Sequence, residues 1–579
     1  MIQHADSHLR GFGALLLLLL ASAASTTVFA KQKLAPPSLQ TSPYDSIRSE
    51  QEYWALLHAA NDSIFQHDFA VEFLLLLSKQ EKAEYTQLPS PAVRKAYVEA
   101  FWKAYNPNPL LPENDRLLVH LRRRAYARKQ FAAAKPPYFD DRGKYHIKYG
   151  KPASRLHDIG GLKRLRERAV DVALNSYTIQ ENESWSYVNI TPNYVVHFAK
   201  AGNSFQEIHS LKELFVGSQR LGLLVWYLSD LLKGRFWMSS AINETVTEIQ
   251  AIETGLRSRG GGRSAWLKDS ENTDFQLVRQ VIEHIDKAEN ETIRASLDVP
   301  PAAYERVHAV NKLAFAGAIA QFRGPVGQTR LEVTLWSPLK NYVTRLDSVS
   351  GDAVNVEFAC LLRDAAFDSL AGARLQSKFP AKTAVLANLP DAVGSMTLMA
   401  RPQAGELALQ VKNPSNGKLG FSQQNFNVRD FRGRELMMSD LQFFVKVADA
   451  NQQQVLPIIE REGVTLAPYP YKEVRRSTPL FFYFEVYNLK SAGFENEYEV
   501  TYKVIRTRGQ ENIFKKLAGS QDASISMTNT RTVTAETSHE LLGLDLSQLE
   551  KGDYRLEITV ADAKKLIATS AQKEFTVGN

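Results

Sequence analysis

The sequence predicts an α+β chain: an N-terminal helical domain with a small antiparallel sheet, followed by two immunoglobulin-like β-sandwiches. Three observations carry this reading. Apolar residues recur at helical spacing from about Ser49 to Ala134. Short runs between residues 145 and 200 alternate apolar and polar residues as half-buried strands do. Beyond Pro300 the chain becomes a succession of brief alternating runs at the intervals of a sandwich. With 579 residues, 44% of them hydrophobic and 23% charged, the composition is globular, and the length suits about three or four domains.

The first elements concern address. Arg10 precedes the apolar run "ALLLLLLASAA" and the sequence "TTVFA", with Val28 and Ala30 at small-residue positions. Residues 1–30 therefore read as a signal peptide, and 31–48 as a Pro/Ser-rich leader. No later run suits a membrane crossing; the nearest, "LGLLVWYLSDLLKGRFW" from Leu221, is interrupted by Ser229, Asp230 and Lys233. The expected product is exported, periplasmic or extracellular, with no transmembrane segment. A single cysteine, Cys360, rules out an internal disulfide. The net charge of +7 is mild for this size, and with export it argues against a nucleic-acid partner.

Residues 49–210 form the first domain. Ser90 is placed to cap a helix whose first residue is Pro91, and the prolines at 107, 109 and 112 end it. The next helix, about Asn114 to Ala133, puts Leu117, Leu121, Arg124, Arg128 and Phe131 on one stripe at about 100° per residue. Arg124 and Arg128 are thus expected inside, where they require carboxylate partners, while Arg122, Arg123 and Lys129 form a solvated face. "KYHIKYG", with Tyr145, Ile147 and Tyr149 on one side and His146 and Lys148 on the other, reads as a strand. Together with "ESWSYVNI" and "NYVVHFAK" it predicts a three-stranded antiparallel sheet. Residues 211–300 form a helical extension, with Phe275, Val278, Ile282 and Ile285 on one face and a loop at "RSRGGGRS", residues 257–264. Residues 301–435 and 436–579 are the two sandwiches. In the second, Tyr554 after a Gly-Asp turn matches the tyrosine corner of immunoglobulin-like folds.

Several blocks resemble the bacterial GWxTD domain family. They are "LSKQEKAEYTQLPSPAVRKAYVEAFWKAYNPNP", "RRAYARKQF", "YFDDRGKYHIKYGKPASR" and "ESWSY", in order over roughly residues 70–200. At the naming motif this chain has Pro137, Tyr138, Phe139, Asp140 and Asp141, so the final Asp alone matches, followed by Arg142 and Gly143 as the family pattern has them. The resemblance implies architecture and export, with structural roles for Arg142 and Gly143, and brings no catalytic residue with it.

The candidate chemistry centres on Asp140 and Asp141. Neighbours on extended chain point to opposite faces, so a shared acid/base role is disfavoured. Asp140 is expected to cap the turn, and Asp141 to pair with Arg124 or Arg128, docking helix on sheet. The rival reading is an envelope hydrolase using carboxylates or a metal around Asp140, Asp141 and His146. His146, His197 and Glu183 are a further candidate ligand set across the sheet, although no His-Glu-x-x-His or paired-Cys spacing occurs. No Gly-x-Ser-x-Gly elbow is present, Cys360 lies within apolar "VEFACLL", and "RGGGR" lacks the Lys-Ser/Thr of a phosphate loop. The expectation is a non-catalytic binding or assembly protein of the cell envelope, without cofactor or metal, whose partner is an envelope protein or glycan. The oligomeric state is left open.

Overall fold

The computed structural model describes residues 44, 47–159, 178–216, 228–258, 275–307, 312–342, 353–380, 391–447, 456–489, 496–508, 523–562 and 567–578. The predicted signal peptide, most of the leader and most of the loop at 257–264 lie outside the described residues. The chain divides into two compact units, one of residues 1–107 and 113–307, the other of residues 108–112 and 308–579.

In the first unit, α1 (Glu50–Ala59), α2 (Lys79–Thr86), α3 (Pro91–Ala104) and α4 (Asp115–Gln130) begin where capping chemistry places them. The Ser90 hydroxyl accepts from the Val93 amide ahead of Pro91, and Asn114 accepts from the Arg116 and Leu117 amides. Between α1 and α2 the segment Phe65–Ala70 is a π-helix. The sheet has four strands, β1 (Ser154–Asp158), β2 (Asn182–Ser186), β3 (Val195–Ala201) and β4 (Ser204–Ile208), antiparallel and in that spatial order.

"KYHIKYG" is not a strand. It lies in α5 (Asp141–Tyr149), N-capped by Asp140 and followed by Gly150 at a φ of 78°. Buried Gly143, His146 and Ile147 show helical spacing, so the alternation of Tyr145, Ile147 and Tyr149 was incidental to a stronger cap-to-glycine signal. The expected third strand is thereby replaced by β1 and β4, which flank the two that the sequence marked.

Alternation along β3 sends Val196 and Phe198 into one core and Val195 and Ala199 into another. The first core joins one sheet face to the N-terminal helices through Trp102, Phe131, Ile147 and Trp185. The second joins the opposite face to α6 (Ser240–Ser258) and α7 (Phe275–Leu297). The unit is therefore three-layered, helices–sheet–helices.

Gly143 shows how tight the first layer is. A Cβ there would stand 2.4 Å from a ring atom of Phe139, itself buried. Gly143→Ala should therefore cost about 1–3 kcal/mol, read as a lowered melting temperature of the first unit.

The second unit holds the two sandwiches. In the first, β5 (Ala316–Arg323), β6 (Thr329–Pro338) and β9 (Asp391–Ala400) form one sheet; β7 (Ala353–Arg363), β8 (Ser369–Pro380), β10 (Ala404–Lys412) and β11 (Leu419–Asn427) form the other. They close over Leu331, Val333, Phe358, Cys360 and Leu407. In the second sandwich, strands within Met437–Pro468, Leu480–Tyr487 and Thr537–Leu544 face a sheet that includes β12 (Asn496–Arg508), β13 (Gly552–Asp562) and β14 (Ile567–Gly578). Its core contains Phe482, Phe484, Tyr498, Ile558 and Phe575. Tyr554 on β13 stacks on Phe575 at 5.7 Å, and its hydroxyl donates to the Glu550 carbonyl at 2.8 Å. Among the described residues no helix is long and apolar enough to cross a membrane.

Candidate functional site: an acidic turn and a tyrosine-lined cavity

The acidic turn is built at the start of α5. Asp140 caps it, its Oδ1 accepting from the Arg142 amide at 3.1 Å and its Oδ2 from the Phe205 amide of β4 at 3.0 Å and from Arg142 Nη2 at 2.7 Å. Arg142 then extends Nη1 to Glu183 on β2 at 2.7 Å, and Glu183 also receives Arg155 Nη2 at 2.6 Å and the Trp185 indole at 2.8 Å. Burial alone would raise the Glu183 pKa, but the Arg155 and Trp185 hydrogen bonds and the Arg142 charge hold it below the ordinary carboxylate value. The Arg142 guanidinium lies 3.8 Å from the Phe205 ring centroid. Two carboxylates and two guanidiniums thus close a neutral network that binds α5 to the sheet.

Asp141 does not pair with Arg124 or Arg128. Its carboxylate takes Lys144 Nζ at 2.6 Å and the Glu207 amide at 2.8 Å. As the first residue of α5 it faces β4, whereas the two arginines of α4 turn toward the π-helical segment and the helical turn Val71–Phe73 that continues it. Both are buried as the stripe requires, and their partners are Glu72 and Asp68. Arg124 Nε meets Glu72 at 2.5 Å, and Arg128 meets Glu72 at 2.6 Å and Asp68 at 3.1 Å. Arg123, expected in solvent, is also buried; its Nη1 donates to the carbonyls of Ile147, Lys148 and Ala303. Arg122 and Lys129 are exposed.

The histidines are not gathered with the acids. His146 is buried with its ring stacked on Tyr126 at 4.4 Å, and burial, aided by the Arg123 charge, pushes its pKa down to about 4. His197 pairs in register with Ser184, whose hydroxyl lies 2.7 Å from its Nδ1, while neighbouring Glu183 points to the other face of β2. The set His146, His197 and Glu183 is thereby divided. Among the described residues, no three His, Cys, Asp or Glu side chains are arranged to hold a metal ion.

A cavity of about 900 Å³ lies elsewhere in the same unit, lined by α2, α5, β3, β4 and α7. Its polar wall carries Tyr145, Tyr149 and Tyr194. The Tyr145 hydroxyl donates to Glu207 at 2.6 Å, and Tyr194 is hydrogen-bonded to Tyr145 and Tyr149. Burial raises all three phenols, Tyr194 to about 12, so they remain protonated. Lys148 lies beside them, its ammonium 4.8 Å from the Tyr149 ring. Burial, and then the like charge of Lys82, bring its pKa down to about 8. The sequence concealed this cavity because Tyr145, Lys148 and Tyr149 share a wall only when "KYHIKYG" is helical; Tyr145 and Tyr149 at i, i+4 were the available signal.

No family model matches this chain, and no curated protein matches it. Solved structures show slight likeness. A red sea bream transglutaminase is 11% identical with a TM-score of 0.14, over 51% of this chain and 34% of its own. A Bacteroides uniformis beta-glucuronidase is 12% identical with a TM-score of 0.15, over 43% of this chain and 26% of its own. A trypsin-activated alpha-2-macroglobulin from Escherichia coli is 12% identical with a TM-score of 0.13, over 46% of this chain and 16% of its own. This chain therefore spans about a third or less of those proteins, and likeness of this degree carries no argument about its chemistry.

Proposed function

We propose that this chain is an exported, non-catalytic binding or assembly protein of the bacterial cell envelope. Residues 49–210 of its first unit are a GWxTD-type module, and its sandwiches present edges and loops to a protein or glycan partner. One observation carries the reading: the charges of the acidic turn are spent internally, Asp140 and Glu183 on Arg142 and Arg155, and Asp141 on Lys144 and the backbone of β4. A general acid or base needs a group free to exchange its proton with a substrate, and these groups are committed to neighbours. His146, the other member of the hydrolase reading, is packed against an aromatic ring instead.

The test uses the purified chain and its Asp141→Asn and His146→Gln variants. Incubated with peptidoglycan or lipopolysaccharide, the parent chain should release no fragments above a heat-denatured control. Cross-linking in envelope fractions should give one reproducible partner, retained by Asp141→Asn. Fragment release that vanishes in either variant while its melting temperature holds would establish the hydrolase in place of the binding protein.

A further inference from the structure

The cavity of the first unit has two features that its own chain does not satisfy. Lys82 and Lys148 act on each other as like charges, and although Lys148 feels the attraction of Glu207, among the described residues neither lysine makes a direct ion pair. Lys79 stands at the same wall. Beside these cations the cavity is lined by apolar residues, among them Leu77, Leu232, Ile293 and Leu297. Ile293 is 49% exposed and Leu297 74%, although both sit on a helix whose opposite face is well buried. Apolar side chains left to water beside ammonium groups that lack a direct ion-pair partner mark a binding surface rather than a packing accident.

We propose that this cavity binds a single-chain amphiphile with an anionic head, carboxylate or phosphate. The head lies between Lys82 and Lys148 and accepts from the Tyr194 hydroxyl, and the alkyl chain runs along Leu232, Ile293 and Leu297. An anion between the two ammonium groups turns their repulsion into attraction, and Tyr194, which accepts from Tyr145 and Tyr149, has its own hydroxyl hydrogen to give. The alkyl chain covers the apolar wall, which an inorganic anion cannot do. Glu207 and Glu289 are the counterweights in this cavity, Glu289 being engaged by the Ser210 hydroxyl and the Leu211 amide. Glu207 already accepts from Tyr145, so its charge orients the phenol network and keeps the anionic head on the lysine side of Tyr194. The volume, about 900 Å³, is within the range of small-molecule sites. The assignment deepens the binding reading given above and rests on it.

The test is displacement of 11-(dansylamino)undecanoate from the full chain at pH 7, below the micellar concentration of every competitor. Dodecanoate and dodecyl phosphate distinguish the two head groups. Dodecanol, acetate and inorganic phosphate serve as comparisons. Saturable displacement by at least one anionic amphiphile is expected, roughly tenfold tighter for each two methylenes added between eight and twelve carbons. Dodecanol should be at least roughly tenfold weaker, since it lacks the charge-assisted hydrogen bonds. The double variant Lys82→Met/Lys148→Met should lose roughly tenfold for the anions and little for dodecanol. Ile293→Asp, an exposed position that leaves the fold intact, should weaken every chain-bearing ligand. Absence of saturable binding, binding without dependence on chain length, or an undiminished affinity in the folded double variant would each overturn the assignment. If amphiphile binding fails while the cross-linked envelope partner is still captured, the cavity assignment falls and the binding reading stands.

Discussion

Glu72→Ala is expected to destabilise the first unit by about 3–5 kcal/mol, the cost of leaving buried guanidinium groups without their carboxylate. Arg124 and Arg128 both converge on Glu72, which is 1% exposed, and with it gone the two cations share Asp68 and a few backbone carbonyls. Asp141→Ala, by contrast, should cost about 1 kcal/mol. It removes a half-exposed pair with Lys144 and one bond to the Glu207 amide. Thermal or urea unfolding of the two variants side by side checks the order. An Asp141→Ala loss equal to that of Glu72→Ala would show that the helix–sheet junction, not the α4 cluster, takes the burden.

Acidification should unfold the first unit steeply. Burial is the first cause in each of three histidines: it lowers His120 and His197 to about 3 and His146 to about 4, with nearby arginine charges adding to the shift. An unfolded histidine takes up its proton near pH 6.5, whereas these resist it until pH 3–4. Between roughly pH 6 and pH 4 the unfolded chain therefore binds more protons, and stability falls as pH falls. Each histidine contributes about 1.4 kcal/mol per pH unit across that window, about 4 for the three together. Below it, protonation of Glu183, whose pKa is also depressed, removes a partner of Arg142 and Arg155. Urea midpoints from pH 7 to pH 4 measure the slope, and His120→Gln should reduce it by about a third. Midpoints independent of pH would contradict the buried, neutral state of these rings.

Much of this architecture was legible in the residues. Ser90 and Pro91 marked the start of α3, the alternating runs beyond Pro300 marked the sandwiches, and the stripe on α4 marked Arg124 and Arg128 as buried. The partners of those arginines were not legible, because Asp68 and Glu72 come from a π-helical segment and its continuation about 56 residues upstream. Nothing in local spacing specifies such a long-range pairing. The turn at Asp140 misled for a different reason. Over seven residues, aromatic alternation and an amphipathic helix are hard to tell apart, and the decision lay with the cap at Asp140 and the glycine at 150. Reading that stretch as extended chain scattered Tyr145, Lys148 and Tyr149 over two faces and hid the cavity they line. Arg123 was lost similarly, since its guanidinium leaves the polar face of α4 to bind the C-terminal carbonyls of α5.

The conspicuous charges around Asp140 hold α5 on the sheet, with Arg142 bridging Asp140 and Glu183. A double-mutant cycle between Arg142→Met and Glu183→Gln tests it most directly, with unfolding free energy as the readout. Coupling of about 1–3 kcal/mol is predicted, because the two side chains meet at 2.7 Å across that junction. Strictly additive losses would contradict it, since they would mean that each charge acts without the other.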